Sequence, residues 1–224
     1  MFYRDTFWLA LALLCLSGCA KTPLPIATIP QKGREISSEL SFGNNGINLN
    51  TVYTSKTNTV FNLALQTSFF TSRSNVYDLG LGQITRNKRM LFMATFGYGR
   101  HSISHFSMGT YGSRQFTSTD AFRASLYWNV AIDKDIFLIL RPSYYWGDTA
   151  HKEIGFRASS RYLFSRRAIE PAITGRIGKR KRVILGISGF WSYREPHYSD
   201  SEYWKDYIPN CFWLFMGYRF GKSF

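Results

Sequence analysis

Apolar and polar residues alternate along most of the chain after residue 34, as they do in strands that present one face to an apolar environment. In the segment 122–132, one face holds Phe122, Ala124, Leu126, Trp128, Val130 and Ile132, and the other holds Arg123, Ser125, Tyr127 and Asn129. The segments 136–146, 154–164, 169–177, 183–193 and 212–220 repeat the pattern, and none of their apolar faces contains a charged residue. The sequence therefore predicts β-strands with one uncharged face.

Short polar turns separate these segments: Asn44-Asn45-Gly46, Lys56-Thr57-Asn58, Arg86-Asn87-Lys88, Asp133-Lys134-Asp135, Ser165-Arg166-Arg167 and Gly178-Lys179-Arg180-Lys181. A strand that crosses a bilayer needs ~9–11 residues and excludes charge from its lipid-facing side. After residue 20, no apolar run of the sequence approaches the ~20 residues of a spanning helix. The pattern predicts an all-β fold, a transmembrane antiparallel up-and-down β-barrel.

The sequence predicts the number of strands less directly than it predicts that they are strands. The segments that fit are 35–42, 47–54, 59–70, 75–85, 90–101, 120–132, 135–146, 152–164, 168–177, 182–193 and 211–220, which is an odd number. A bacterial single-chain barrel with both ends on one side of the membrane needs an even number. We expect about 12 strands, with the twelfth in 103–116, or 10 if one segment is spurious. Residues 194–210 would form the longest extracellular loop.

The N-terminus has the features of a secretory signal. A charged start precedes the apolar run Phe7–Leu16, and small residues follow. The tetrad Leu16-Ser17-Gly18-Cys19 resembles the bacterial lipobox, which implies a covalent lipid on Cys19; the alternative is an ordinary signal peptide with a chance cysteine. Several acyl chains on one residue give stable anchoring. We expect a lipoprotein signal peptide at 1–18, a lipidated tether at 19–33 and an outer-membrane β-barrel domain at 34–224.

Composition narrows the list of partners. The chain has 28 Lys+Arg and 14 Asp+Glu, a formal net charge of +14, with 17% aromatic and 19% charged residues. Disordered basic chains have few aromatics and a higher charge fraction, so a folded chain is predicted. Secretion excludes nucleic acid as a partner, and basic turns would face anionic headgroups or lipopolysaccharide instead. Outside the signal and Cys19, Cys211 is the one remaining thiol of the sequence, so no internal disulfide is expected.

Several motifs follow one another along the chain: Gly43-Asn44-Asn45-Gly46-Ile47-Asn48-Leu49 with Val52-Tyr53, then Gly80-Leu81-Gly82, Phe96-Gly97-Tyr98-Gly99, and Glu170-Pro171-Ala172-Ile173-Thr174-Gly175-Arg176. In this order they resemble a family of lipid-anchored outer-membrane proteins of Gram-negative bacteria, over nearly the whole mature chain. That family has no assigned activity, so the resemblance implies location and fold alone. The C-terminal series Met216, Tyr218, Phe220 and Phe224, interrupted by Lys222, resembles the signal read by the barrel assembly machinery.

The predicted polar faces carry the candidate functional residues. The lumen-lining residues are Arg123, Arg141, Arg157, Arg161, Glu170, Arg176 and Arg219. Rings of arginine attract anions in pores, so small anions are candidate solutes. Guanidinium groups also hold a narrow barrel together by bonding to side chains such as Tyr127, Tyr145 and Glu170. An anion passage and a structural interior are both compatible with this set.

Two His-x-Ser pairs, His105-Phe106-Ser107 and His197-Tyr198-Ser199, have Asp120 and Glu202 as third members. This arrangement is similar to the His/Ser/acid set of outer-membrane lipid A deacylases, but neither pair is followed by an Asn-Ala-Gly-like sequence. Asp200, Glu202 and Asp206 cluster in one loop without the ligand spacing of a calcium site. We therefore expect no catalytic residues, no metal and no cofactor besides the lipid.

The leading hypothesis is a non-enzymatic, lipid-anchored outer-membrane barrel that acts as a small channel or as a surface structural or interaction protein. Its expected partners are outer-membrane lipid, lipopolysaccharide and the assembly machinery. One alternative is an outer-membrane lipid A or phospholipid hydrolase. Another is a periplasmic lipocalin-like lipoprotein, against which stand the uncharged face and the lack of a Gly-x-Trp near the first strand.

Overall fold

The computed structural model describes residues 29–30, 35–43, 46–68, 73–106, 114–154, 159–178, 182–194 and 211–223. These residues form ten strands in one closed antiparallel barrel, where each strand pairs with its neighbours in sequence and the last pairs with the first. The strands are β1 (Glu35–Gly43), β2 (Gly46–Thr54), β3 (Thr59–Ser68), β4 (Arg73–Ile84), β5 (Met90–Phe106), β6 (Arg114–Ala131), β7 (Ile136–Ile154), β8 (Ser159–Ile177), β9 (Val183–Arg194) and β10 (Cys211–Ser223). Within these ranges no helix is long and apolar enough to cross a membrane.

The all-β antiparallel barrel is confirmed, and the strand number is the alternative of ten rather than twelve. The segment 152–164 is not one strand, because β7 continues to Ile154 and β8 begins at Ser159. In the stretch 103–116, the described residues 103–106 end β5 and 114–116 begin β6, so they belong to these two strands and not to an extra one. The expected turn Ser165-Arg166-Arg167 lies inside β8, opposite Trp146, Tyr145 and Tyr144 of β7.

One wall of the barrel is much taller than the other. Strands β5 to β8 contain 17, 18, 19 and 19 residues, whereas β1 and β2 contain 9 each. A bilayer crossing needs only ~9–11 residues. The long strands thus exceed one crossing, which explains why a count based on that length divides them wrongly.

Both chain ends of the barrel and four short connections lie at one end, which we call the turn end. These connections are residues 55–58, 85–89, 132–135 and 178–182. Each connection is hydrogen-bonded sideways to the next strand, because Asn58, Arg89, Asp135 and Arg182 accept the N–H groups of Ile84, Ala131, Arg176 and Arg219 at 2.8 to 2.9 Å. At the turn end, each turn is therefore hydrogen-bonded to the neighbouring hairpin or strand around the barrel.

The outer face of the barrel is apolar. Large exposed side chains occur on nine of the ten described strands, all except β2, among them Phe61 and Leu63 on β3, Leu79 and Leu81 on β4, Leu126 and Trp128 on β6, Leu138 and Leu140 on β7, Ile173 on β8, Ile187 on β9 and Met216 on β10. The alternation seen in the sequence places these residues on one face and polar residues on the other. The barrel consequently has hydrocarbon outside, and polar groups lie on the inner faces of its strands beside an apolar cluster.

Candidate functional site

Polar and charged side chains fill the middle of the barrel. The buried set includes Glu39, Asn48, Asn50, Asn62, Gln66, Asp78, Thr95, Arg123, Ser125, Asn129, Arg141, Ser143, Glu170, Thr174 and Ser188. All of them belong to strands, and their positions alternate with the outward apolar residues. The lumen of the described barrel is thus occupied by its own side chains.

Four charged residues form a closed network, the charge ring, which consists of Asp78, Arg123, Arg141 and Glu170. Arg123 pairs with Asp78, and its Nη1 lies 3.7 Å from Oε1 of Glu170. Arg141 pairs with Glu170, and its Nη1 lies 3.9 Å from Oδ2 of Asp78. Acids and bases alternate around the ring, so its formal charges cancel. Burial of ionised groups is tolerated only where such partners replace water.

Hydroxyl groups complete the coordination of Glu170. Its Oε1 accepts hydrogen bonds from Ser143 Oγ at 2.6 Å and from Tyr145 Oη at 2.7 Å. Tyr145 in turn accepts a hydrogen bond from Arg123 Nη1 at 3.2 Å, and its ring lies 5.8 Å from the guanidinium carbon of Arg123. Ser125 and Ser143 are hydrogen-bonded to each other at 2.8 Å. The carboxylate is therefore fixed by four side chains, the two arginines among them.

Gly97 provides the space in which the ring forms. It stands on β5 directly between Asp78 of β4 and Arg123 of β6 in the strand register. A Cβ atom at Gly97 would overlap Oδ1 of Asp78. The carboxylate of Asp78 therefore crosses above Gly97 to reach Arg123 two strands away.

An apolar layer closes the lumen toward the turn end. It contains Ile29, Val52, Val60, Ile84, Leu91, Met93, Tyr127, Phe137, Ile139 and Ala172. Ile29 is 0% exposed, and Pro30 beside it is also buried. Both belong to the stretch 19–33 that we expected to be an extended tether. At least these two residues instead lie inside the barrel and fill it.

Two further ion pairs lie closer to the turn end. Arg176 Nη2 is 3.3 Å from Oδ1 of Asp135, and its guanidinium carbon lies 5.1 Å from the centre of the Phe137 ring. Arg219 Nη2 donates to Oε1 of Glu35 at 2.6 Å. Both arginines are mostly shielded from solvent, and each has an acidic partner.

The residues expected in the lumen thus have different positions. The structure brings Arg123, Arg141 and Glu170 together, and it places Arg176 and Arg219 near the turn end. Arg157 and Cys19, the residue expected to carry the lipid, lie outside the described residues. For Arg161 only the backbone is described. It pairs with Ala150 and lies two positions before the outward-facing Leu163, so the strand register does not support the predicted position on the inner face. The cause is the division of β7 and β8 at the wrong point.

The sequence analysis identified Glu170 but missed the other acidic partners of the arginines. Asp78, Asp135, Glu35 and the buried Glu39 were not singled out. Asp78 lies between Tyr77 and Leu79, both of which are exposed on the outer face. That flanking alternation marks Asp78 as an inward charge, and this was the available signal.

Of the residues considered for hydrolysis, Asp120 is the one whose side chain the structure describes. Asp120 lies toward the outer face, where it accepts a hydrogen bond from Tyr98 Oη at 2.6 Å and lies 3.7 Å from Nε of Arg100. The backbone of His105 is in β5, opposite Gln115. His197, Ser107, Ser199 and Glu202 lie outside the described residues. Among those described, no cluster of three or more His, Cys, Asp or Glu side chains could hold a metal ion.

Aromatic rings pack together on the outer face beside Asp120. Phe96, Tyr98, Phe122, Tyr144 and Trp146 contact one another with ring centres 5.2 to 6.2 Å apart. The polar groups of Arg100 and Asp120 follow on the side away from the turn end. Aromatic rings next to polar groups are typical of the edge of an apolar band at a membrane interface.

Comparison with known proteins adds no family to this picture. No protein-family model matches the chain, and no curated protein matches it either.

Proposed function

We propose that this chain is a lipid-anchored β-barrel of the bacterial outer membrane, non-enzymatic and closed inside, which serves as a surface structural or interaction protein. The observation that carries the proposal is the polarity of the barrel. Large hydrocarbon side chains cover its outside, and paired charges lie in the middle of its lumen. In water the exposed apolar band would be unfavourable by roughly 25 cal/mol per Å². In a bilayer the same band is solvated.

The interior favours this proposal over a lipocalin-like ligand carrier. A soluble carrier would bury apolar side chains around an apolar ligand and expose charge outside. Here the middle of the lumen holds Asp78, Arg123, Arg141 and Glu170, and the outer face holds leucine, isoleucine and phenylalanine. That distribution suits a lipid-facing wall.

The interior also favours a closed barrel over an anion passage. Arginines attract anions in a pore when their charge is uncompensated. Arg123 and Arg141 each contact both Asp78 and Glu170. The apolar layer that includes Ile29 fills the lumen below them. We therefore assign the arginines a structural role.

The lipid on Cys19, the outer-membrane address and contact with the barrel assembly machinery are parts of the same proposal. They are supported by the lipobox-like tetrad, by the family resemblance and by the aromatic C-terminal series. Outer-membrane lipid and lipopolysaccharide would surround the apolar band.

Extraction of membranes with alkaline carbonate tests the proposal. The chain should stay in the membrane pellet and show heat-modifiable migration in gels, since a folded barrel resists SDS until heated. The Cys19→Ala variant should also stay in the pellet, because the barrel itself holds it there. Release of Cys19→Ala by carbonate, with the lipidated chain retained, would show an anchored soluble domain and contradict the membrane barrel.

A further inference from the structure

The turn end carries a circle of exposed cationic side chains. Among the described residues, every connection at this end contributes at least one: Lys56 between β2 and β3, Arg86 and Arg89 between β4 and β5, Lys134 between β6 and β7, and Arg182 before β9. We call these five residues the basic rim. Because the connections are distributed around the barrel, the rim encircles it and does not form a patch on one side.

The acidic groups of this end are largely engaged elsewhere. Asp135 pairs with Arg176, and Glu35 pairs with Arg219, on the inner side of the barrel. Asp133 is exposed, and its Oδ1 accepts the backbone N–H of Lys134 at 2.7 Å. The five rim cations therefore outnumber the exposed acid beside them. The rim presents a net positive charge.

Hydrogen bonds within the turns fix the backbone that carries the basic rim. Ser55 Oγ accepts the N–H groups of Thr57 and Thr59 at 3.2 and 3.0 Å. Asn87 Oδ1 accepts Thr85 Oγ1 at 2.6 Å and the N–H of Arg89 at 3.1 Å. The lateral hydrogen bonds described above link each turn to the next strand. Fixed backbone positions reduce the ordering that binding would otherwise require.

The rim lies at the edge of the apolar outer face. Phe61, Phe92, Ile136 and Val183 are exposed within a few residues of rim positions in the same hairpins. Arg182 Nη1 also donates to Oη of Tyr218, whose ring is exposed on β10. Cations directly beside hydrocarbon match the boundary between acyl chains and headgroup phosphates, where Lys and Arg extend toward the interface.

We infer that the basic rim binds the phosphate groups of anionic phospholipids in the leaflet that the turn end faces. This rests on the proposed function and adds its lipid partner. A rim that encircles the barrel at the edge of its apolar face suits a lipid annulus.

Lipid retention in mixed micelles tests the inference with the full-length barrel. The protein is purified in a neutral detergent that contains equal amounts of phosphatidylglycerol and phosphatidylcholine, and the lipids that remain bound are counted by mass spectrometry. Wild type should retain several-fold more phosphatidylglycerol than phosphatidylcholine, and 0.5 M NaCl should reduce the difference because salt screens exposed charges.

A pair of double variants locates the site. Lys56→Gln with Arg86→Gln should lose most of the preference for phosphatidylglycerol. Arg100→Gln with Arg167→Gln, which removes two exposed cations of the tall strands away from the rim, should keep it. Heat-modifiable migration checks that each variant is folded. Equal retention of the two lipids by wild type, or equal loss in both variants, would overturn the inference and leave the membrane barrel intact, since carbonate extraction tests that separately.

Discussion

Asp78 and Glu170 stand on β4 and β8, four strands apart around the barrel, and both contact the same two arginines. Each carboxylate therefore depends on cations supplied by other strands. The charge ring ties distant parts of the wall together through the lumen.

Removal of one ring cation should destabilise the barrel strongly. Arg141→Met leaves Glu170 and Asp78 with one arginine between them in a buried site, and we expect a loss of about 3–5 kcal/mol in the free energy of unfolding. Urea titration of the barrel in micelles, followed by tryptophan fluorescence, measures it. Arg141→Met combined with Glu170→Gln should recover part of the loss. The control Arg100→Met, whose side chain is 64% exposed, should change stability by less than about 1 kcal/mol. Equal effects of the two single variants would contradict a buried ring.

Gly97→Ala should disturb the ring without removing any charge. The added methyl group must displace the carboxylate of Asp78, and overpacking of this kind costs about 1–3 kcal/mol. Gly175→Ala is the matched control, because the nearest atom to its added Cβ is the Asp135 carbonyl oxygen at 3.8 Å. The temperature of heat-modifiable migration reports both. A lower transition temperature for Gly175→Ala than for Gly97→Ala would count against the close approach.

Ile29→Ala should destabilise the barrel although it lies before the first strand. Its side chain is 0% exposed in the apolar layer, and such a cavity costs about 2–5 kcal/mol. Ile36→Ala, at a position 42% exposed on the outer face, is the control and should have a smaller effect. Urea unfolding in micelles compares the two. If Ile29→Ala unfolds like wild type, the N-terminal segment does not contribute to the core in solution.

A charge placed on the apolar band distinguishes a bilayer from water around the barrel. Leu140→Arg turns a cation outward near the middle of the band, and in lipid vesicles it should cost about 2–4 kcal/mol. Ala150→Arg lies on the same face of β7, beyond Asp148 and away from the turn end, and should cost about 0–1 kcal/mol. Folding yields in vesicles measure the difference. Equal yields for the two variants would speak against a lipid-facing band.

Planar bilayers should show no conductance from the wild-type barrel. The charge ring and the apolar layer occupy the lumen, and the two ring arginines are neutralised by acids. Single-channel recording over a range of voltages checks this, with an open porin as positive control. Steady anion-selective currents that Arg141→Ala reduces would contradict the closed barrel and support an anion passage.

The outer surface was predictable from the sequence, whereas the interior was only half predictable. Alternation placed Leu126, Leu138 and Ile173 outward, as the structure has them. The same rule failed between 152 and 164, because Ser165-Arg166-Arg167 has the composition of a turn while its backbone continues β8. A polar strand end that extends past an apolar band has the same local composition as a turn, so composition alone cannot distinguish the two.

The partners of the arginines required knowledge of the strand register. Asp78 meets Arg123 because both flank Gly97, and it meets Arg141, three strands away, because the sheet curves around the lumen. No spacing along the chain encodes those distances. Ile29 was missed for a related reason, since a short proline-flanked stretch has no strand pattern and its burial depends on the shape of the cavity it fills.

The charge ring also constrains the order in which the barrel can be assembled. A hairpin of β7 and β8 alone already brings Arg141 opposite Glu170, but Arg123 and Asp78 arrive with β6 and β4. Until then one arginine or one carboxylate has an incomplete set of partners, which is unfavourable in hydrocarbon. For the proposed membrane barrel, we therefore expect stepwise insertion of single strands to be disfavoured and the sheet from β4 to β8 to form as a unit before insertion.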